Sequence, residues 1–267
     1  VARTRSPAVV GRFVLADPVG VGGTGTVWRA WDLRAQRYVA AKLLRRYDGS
    51  LLLRFVREQA LRIAHPHVLA PHGWAAEDEV AVIVSDLVRG GSLADLARAA
   101  APLPEAFVVA LLDQALQALA AVHAAGVVHG DVKPANLLLE PTGRGRPHLR
   151  LADFGVATSR DDTVVFTREG PVGTPGYLAP DQAAGAPADP AQDLFALGVT
   201  GRRLLTEAAP VATLLDSMTR PEARLRPTAV EALARLRSLP VRRGAAWPAV
   251  PDRLGPDPPP PRRPRAW

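Results

Sequence analysis

His129-Gly130-Asp131-Val132-Lys133-Pro134-Ala135-Asn136 runs straight into the apolar triplet Leu137-Leu138-Leu139, and a second apolar stretch, Leu149-Arg150-Leu151-Ala152, ends on Asp153-Phe154-Gly155. The stretch between them, residues 141–147, is rich in Gly, Pro and Arg, so the two apolar runs read as paired strands joined by a loop. Such a pair brings Asp131, Lys133, Asn136 and Asp153 towards one end. That set of side chains suits phosphoryl transfer from ATP. Asp131 can accept or orient the proton of an attacking hydroxyl, Lys133 can neutralise the moving phosphoryl group, and Asn136 with Asp153 offers hard oxygens to Mg2+. An Asp-Phe-Gly tripeptide alone is a weak signal. At this spacing after His-x-Asp-x-Lys-Pro-x-Asn it is a strong one.

On these residues the chain resembles the eukaryotic-type serine/threonine protein kinases of bacteria, over about residues 11–238. The resemblance implies an α+β, bilobal, protein-kinase-like fold. A small β-rich N-lobe with one main helix is expected over 11–85 and a larger, mostly helical C-lobe over 86–238. Residues 1–10 form an extension, and 239–267 a Pro/Arg-rich tail expected to be disordered.

Upstream, Phe13–Ala16 and Thr26–Trp31 read as strands either side of Gly20-Val21-Gly22-Gly23-Thr24-Gly25. Glycines at 20, 22 and 25 let backbone N–H groups approach phosphates without side-chain collision. Dinucleotide sites use the same pattern, but there a helix follows; here a strand does. Arg37 to Lys42 reads as a third strand. The resemblance implies that Lys42 grips the α and β phosphates and pairs with Glu58, on a helix read over 51–64, although the interval between the two is short for the family. It also implies a nucleotide contact set of residues 20–25 with Val27, Ala40, Lys42, Asp86, Val88 and Leu138. The backbone of the segment Ser85–Val88, after a strand at Val80–Val84, would receive adenine, and the small Ser85 implies a roomy back pocket.

Pro104–Ala125 has the clearest helical period, with apolar residues recurring on one face, and leads through Gly126 into the quoted motif. The resemblance gives His129 a supporting role under the Asp-Phe-Gly backbone rather than acid–base work. The loop 141–147 reads as an ordinary exposed connection. The polar segment 156–170 holds Thr158, Ser159, Thr163 and Thr167. Gly130 stands where kinases switched by a phosphate on that segment carry an arginine, so activity is not expected to hinge on Thr163 or Thr167.

Gly173-Thr174-Pro175-Gly176-Tyr177-Leu178-Ala179-Pro180-Asp181 is similar to the signature that closes the family's activation segment, with Asp181 in place of glutamate. Thr174 and Lys133 imply a serine or threonine acceptor, and Asp181 is expected to pair with Arg226. Asp193, opening a helix read to Leu205, would accept hydrogen bonds from the backbone around His129. The helix that docks protein substrates in the family is missing between Thr206 and Val211, and helices follow at Leu214–Thr219 and, capped by Thr228, up to Leu236.

Composition adds limits. The 267 residues carry a net charge of +7, but the arginines are scattered or gathered in the tail, so no nucleic-acid partner is expected. With no cysteine, disulfides, zinc thiolates and thiol catalysis are excluded. No uninterrupted apolar run reaches the ~18 residues that span a bilayer, so a soluble, cytoplasmic protein without a membrane segment is expected. The proline tail is read as a solvated terminus, with a ligand for a proline-binding adaptor or a tether to an acidic surface as the other readings. Two functional alternatives stand beside a protein kinase. One is a small-molecule phosphotransferase of the aminoglycoside type; the other is a non-catalytic pseudokinase scaffold, whose mark would be loss of Lys42, Asp131 or Asp153, all of which are present.

Overall fold

Five strands between Phe13 and Ser85 form an antiparallel sheet. A computed structural model of the chain describes residues 9–22, 25–45, 63–77, 80–153, 158–159, 173–205, 210–240 and 246–261. It divides into one unit of Val1–Arg62, Ala70–Val88 and Leu254–Trp267, and another of Ile63–Leu69 with Arg89–Arg253. Leu254–Trp267, read from the sequence as part of a separate tail, groups with the first unit.

In the first unit the strands are β1 (Phe13–Gly22), β2 (Gly25–Asp32), β3 (Arg37–Arg45), β4 (Gly73–Glu77) and β5 (Val80–Ser85), in the order β1-β2-β3-β5-β4. One face holds the core: Phe13, Ala30, Val39, Ala41, Val82 and Val84 are all fully buried. Because side chains alternate, Val27, Arg29, Tyr38, Ala40 and Lys42 share the other face. Two details differ from the sequence reading. The first strand runs on through the glycines to Gly22 instead of stopping at Ala16, because irregularities between Leu15 and Asp17 and between Pro18 and Gly20 absorb the proline without ending the ladder. β4 was not anticipated, since Gly73, Ala75 and Ala76 carry little strand preference. Of the helix read over 51–64, residues 51–62 lie outside the described residues and 63–64 have no regular structure.

The second unit is built on α1 (Leu93–Ala100) and α2 (Glu105–Ala124). Ser92 caps α1 in a reciprocal capping box with Asp95. Burial pushes the Asp95 carboxyl up, but hydrogen bonds from Ser92 and Arg98 outweigh it and hold it below its usual value. α2 buries the one apolar face read from the sequence, Phe107, Leu111, Leu112, Ala115, Leu116, Leu119 and Val122, widened by Val108, Gln114 and Ala118. It is long and apolar enough to cross a membrane, yet it is a core helix here. Its buried Gln114 donates to Pro147 O (2.7 Å) and accepts from Leu149 N (2.6 Å), fixing the far side of the loop 141–147. Then follow β6 (Val127–Val128), a 3-10 turn at Pro134–Asn136, β7 (Leu137–Leu139), β8 (Leu149–Leu151) and β9 (Thr158–Ser159). β7 pairs with β8, as read from the sequence, and β6 with β9.

The remaining helices are α3 (Pro180–Ala183), α4 (Pro190–Leu204), α5 (Ala212–Met218) and α6 (Ala229–Arg237). α4 starts before Asp193, because Asp189 caps it and Pro190 occupies its first position. Thr228 caps α6 in a second capping box, with Glu231. Residues 206–209, where the missing docking helix was placed, lie outside the described residues.

The C-terminal segment is the main correction. Residues 246–261 are placed by specific contacts instead of forming a disordered tail, 246–253 within the second unit and 254–261 within the first. On the second unit, Trp247 meets Phe107 edge-on at 5.9 Å, and Val250, 1% exposed, pairs with Gly143 through Gly143 N to Val250 O (3.0 Å) and Val250 N to Gly143 O (2.8 Å). Asp252 accepts from Arg89 Nε at 2.9 Å, and Arg253 N donates to Arg89 O at 2.8 Å. A Cβ on Gly90 would lie 2.8 Å from Val250 Cγ1 and 2.4 Å from Leu139 O, so the seat for this segment requires a glycine. The loop 141–147 is exposed over most of its length, as read, and adds one isolated bridge, from Gly143 to Val250.

A histidine cluster is expected to give the second unit a pH-dependent stability. The rings of His65 and His67 lie 5.6 Å apart, and those of His67 and His148 5.0 Å apart. His67 Nδ1 donates to Leu149 O at 2.9 Å, and His148 Nε2 to Pro66 O at 3.1 Å. Burial pushes both His65 and His67 below the ordinary 6.5, and repulsion from His148 and His65 lowers His67 further. The unfolded chain therefore binds more protons than the folded one as pH falls below 6.5, so stability is full above that value and declines beneath it. Urea midpoints are expected to drop between about pH 7.5 and 5, and less steeply in His67→Gln. Equal midpoints at the two pH values would refute this.

Candidate active site

The site in the second unit is assembled by the end of one helix and the start of another. α2 stops at Ala125, and Gly126, with φ +77°, turns the chain into β6 and on to His129. There, Asp193 of α4, 1% exposed, accepts from His129 N (2.9 Å) and Gly130 N (2.8 Å), which the sequence suggested, and also from His123 Nε2 (2.9 Å), which it did not. Gly130 takes φ +78°, a left-handed value that glycine adopts without penalty, and its carbonyl accepts from Gln182 Nε2 at 3.1 Å. The imidazole of His129 is fully buried. Its Nε2 faces Ala152 O (3.0 Å) and must carry the proton, leaving Nδ1 to accept from Asp131 N (3.3 Å). His129 thus ties Asp131 to the residue preceding Asp153.

The carboxylate of Asp131 is held on both oxygens. Oδ2 accepts from Lys133 Nζ (2.6 Å) and Asn136 Nδ2 (3.1 Å), and Oδ1 accepts from Thr174 Oγ1 (2.7 Å). Lys133 Nζ donates to Thr174 Oγ1 as well (2.6 Å), closing a triangle between the motif at 129–136 and the segment at 173–181. Asn136 Nδ2 also donates to Asp131 O (2.8 Å), so the amide nitrogen is committed to Asp131 and its Oδ1 turns the other way. Ala152 N donates to Asn136 O at 2.8 Å, placing Asp153, at φ +66°, beside Asn136. An amide oxygen and a carboxylate are ligand types suited to a hard divalent cation. Phe154 and Gly155 lie outside the described residues.

Two arginines steady the closing segment. Arg203 of α4, which sequence reasoning missed, donates from Nη2 to Gly176 O (2.9 Å) and covers the Tyr177 ring at 4.4 Å. Arg226 reaches the shorter acid as expected, with Nη2 2.6 Å from Asp181 Oδ1. Its other hydrogens go to the carbonyls of Arg220, Pro221 and Ala191.

In the first unit, Gly20 pairs with Val27, Val21 with Thr26, and Gly22 with Gly25, so the glycines form the closed end of the β1–β2 hairpin. Gly23 and Thr24 lie outside the described residues. A Cβ on Gly25, which has φ +144°, would meet Leu43 O at 2.5 Å. Lys42 sits opposite Val27 and Ile83, and Ala40 opposite Arg29 and Ser85, on the face away from the core. The carboxylate of Asp86 accepts from Arg37 Nη1 at 3.1 Å, so its side chain is directed at that arginine. In the second unit, Leu138 is half-buried between two buried leucines of β7, on the opposite face. Glu58 lies outside the described residues.

A family model for the protein kinase domain matches residues 13–229. The chain is 37% identical over 215 residues to serine/threonine-protein kinase PkaA of Streptomyces coelicolor, covering 74% of this chain and 39% of that one. It is 35% identical over 212 residues to serine/threonine-protein kinase PknA of Mycobacterium tuberculosis (76% and 48%) and 32% identical over 207 residues to serine/threonine-protein kinase PrkC of Bacillus subtilis (76% and 31%). The chain spans less than half the length of these relatives.

Proposed function

The chain belongs to the protein kinase family, and from that membership we propose that it is a magnesium-dependent serine/threonine kinase, moving the γ-phosphate of ATP to a protein hydroxyl. The observation that carries the choice of acceptor is the Lys133–Asp131–Thr174 triangle. It ties the segment 173–181, which closes the activation segment in this family, to the carboxylate that receives the acceptor hydroxyl. Asp131 orients that hydroxyl and takes its proton, with both carboxylate oxygens pre-aimed by their donors, so little reorganisation is left for the reaction itself. Lys133 supplies positive charge beside Asp131 where negative charge builds up on the transferred group. The glycine hairpin presents backbone N–H groups to phosphates, and Lys42 adds its ammonium. Asn136 Oδ1 and the Asp153 carboxylate would hold Mg2+, which when bound neutralises the phosphate oxygens.

The test is to incubate the purified chain with labelled ATP and magnesium, alone, with a basic protein acceptor and with an aminoglycoside. Label on serine or threonine of protein is expected. Label confined to the drug, or none at all, would overturn the proposal.

A further inference from the structure

Arg29 is 6% exposed on a strand whose neighbours give it little reason to be charged. Its guanidinium joins two distant pieces of chain. Nε donates to Asp17 Oδ1 of β1 (2.8 Å), while Nη1 donates to Pro256 O (3.3 Å) and Asp257 Oδ1 (3.3 Å) of the C-terminal segment. Beside it, Tyr38 Oη donates to Pro258 O at 3.1 Å, and Arg29 Cζ lies 5.9 Å from the Tyr38 ring. Arg29 and Tyr38 stand on the sheet face that also carries Val27, Ala40 and Lys42, opposite the buried Ala30, Val39 and Ala41. The C-terminal residues therefore dock on the face assigned above to the nucleotide.

We propose that Leu254–Pro261 is a strap docked in cis on this face, and that Arg29 is the positioning residue through which it holds β1 to β2 and keeps the glycine hairpin in shape for phosphate. β1 needs such help at Asp17. It lies at the edge of the sheet, its register is irregular on both sides of Asp17–Pro18, and Pro18 has no N–H to give to the ladder. The Arg29–Asp17 pair bridges the two strands at that weak point. Asp257 and Pro256 hold the guanidinium in the required orientation from the other side. Docking costs the strap little, because prolines at 256 and 258–261 restrict its backbone before it binds. The same prolines read from sequence as an adaptor ligand are here engaged by the chain itself.

The nucleotide part of this proposal rests on the kinase reading; the hairpin part does not, and the experiment separates them. The full chain is compared with a chain ending at Arg253, which retains the Val250–Gly143 pair, and with Asp257→Ala. Truncation is expected to speed amide hydrogen exchange in residues 13–22 and 25–32, and to weaken binding of a fluorescent ATP analogue about fivefold, with kcat at saturating ATP changed less than about twofold. Asp257→Ala should move both readouts in the same direction by less, and it carries the comparison if the shorter chain does not fold. Unchanged exchange in β1 and β2 overturns the proposal, and so does tighter nucleotide binding on truncation, which would make the strap a block. A full chain that binds no nucleotide defeats the kinase reading, and the exchange data then decide the strap alone.

Discussion

Replacing Asp131 by asparagine should lower phosphoryl transfer about 10²- to 10⁴-fold, the range a positioned proton acceptor contributes, with little change in affinity for ATP. The reason lies in how the carboxylate is held. Lys133, Asn136 and Thr174 all donate to it, so both oxygens are fixed in place before substrate arrives. Asparagine keeps the shape and one acceptor oxygen, but it sets an N–H₂ group against a donor and offers no basic site for the hydroxyl proton. The loss should therefore appear in kcat. Activity within tenfold of the parent, measured beside nucleotide binding, would show that Asp131 is not the acceptor.

The largest stability effect is expected from Arg226→Ala, which should cost about 3 kcal/mol in chemical denaturation. The guanidinium is fully buried, lies 5.0 Å from the Phe195 ring, and satisfies Asp181 together with three backbone carbonyls. Alanine leaves those acceptors without their donor and opens a space in the second unit. Asp181 is one-fifth exposed, so water can recover part of its loss. For that reason the expected cost is below that of an ion pair buried on both sides. An unchanged urea midpoint would show that Arg226 adds shape rather than stability.

Much of the site could be read from sequence because its chemistry is local. Asp131, Lys133 and Asn136 fall within six residues, and their spacing alone places them on one turn followed by a strand. The expected Asp181–Arg226 and Asp193 contacts came from whole motifs, which encode their partners. What was missed has no local signature. His123 meets Asp193 only because the last turn of α2 lies against α4, and Arg203 reaches Gly176 across the fold. β4 is written in residues of weak preference, and its place is decided by pairing with β5. The C-terminal segment misled for a related reason. Proline-rich chain has no helix or strand period, so its order depends on single anchors such as Trp247 and Val250, each of which looks unremarkable alone.

Trp247 also gives the protein an optical handle. Among the described residues the other tryptophans, Trp28, Trp31 and Trp74, belong to the first unit, and Trp247 is the only indole in the second. A change of solvent exposure at this indole shifts its emission, so the difference spectrum between the full chain and Trp247→Phe reports whether the segment beside Phe107 is seated, without any attached dye.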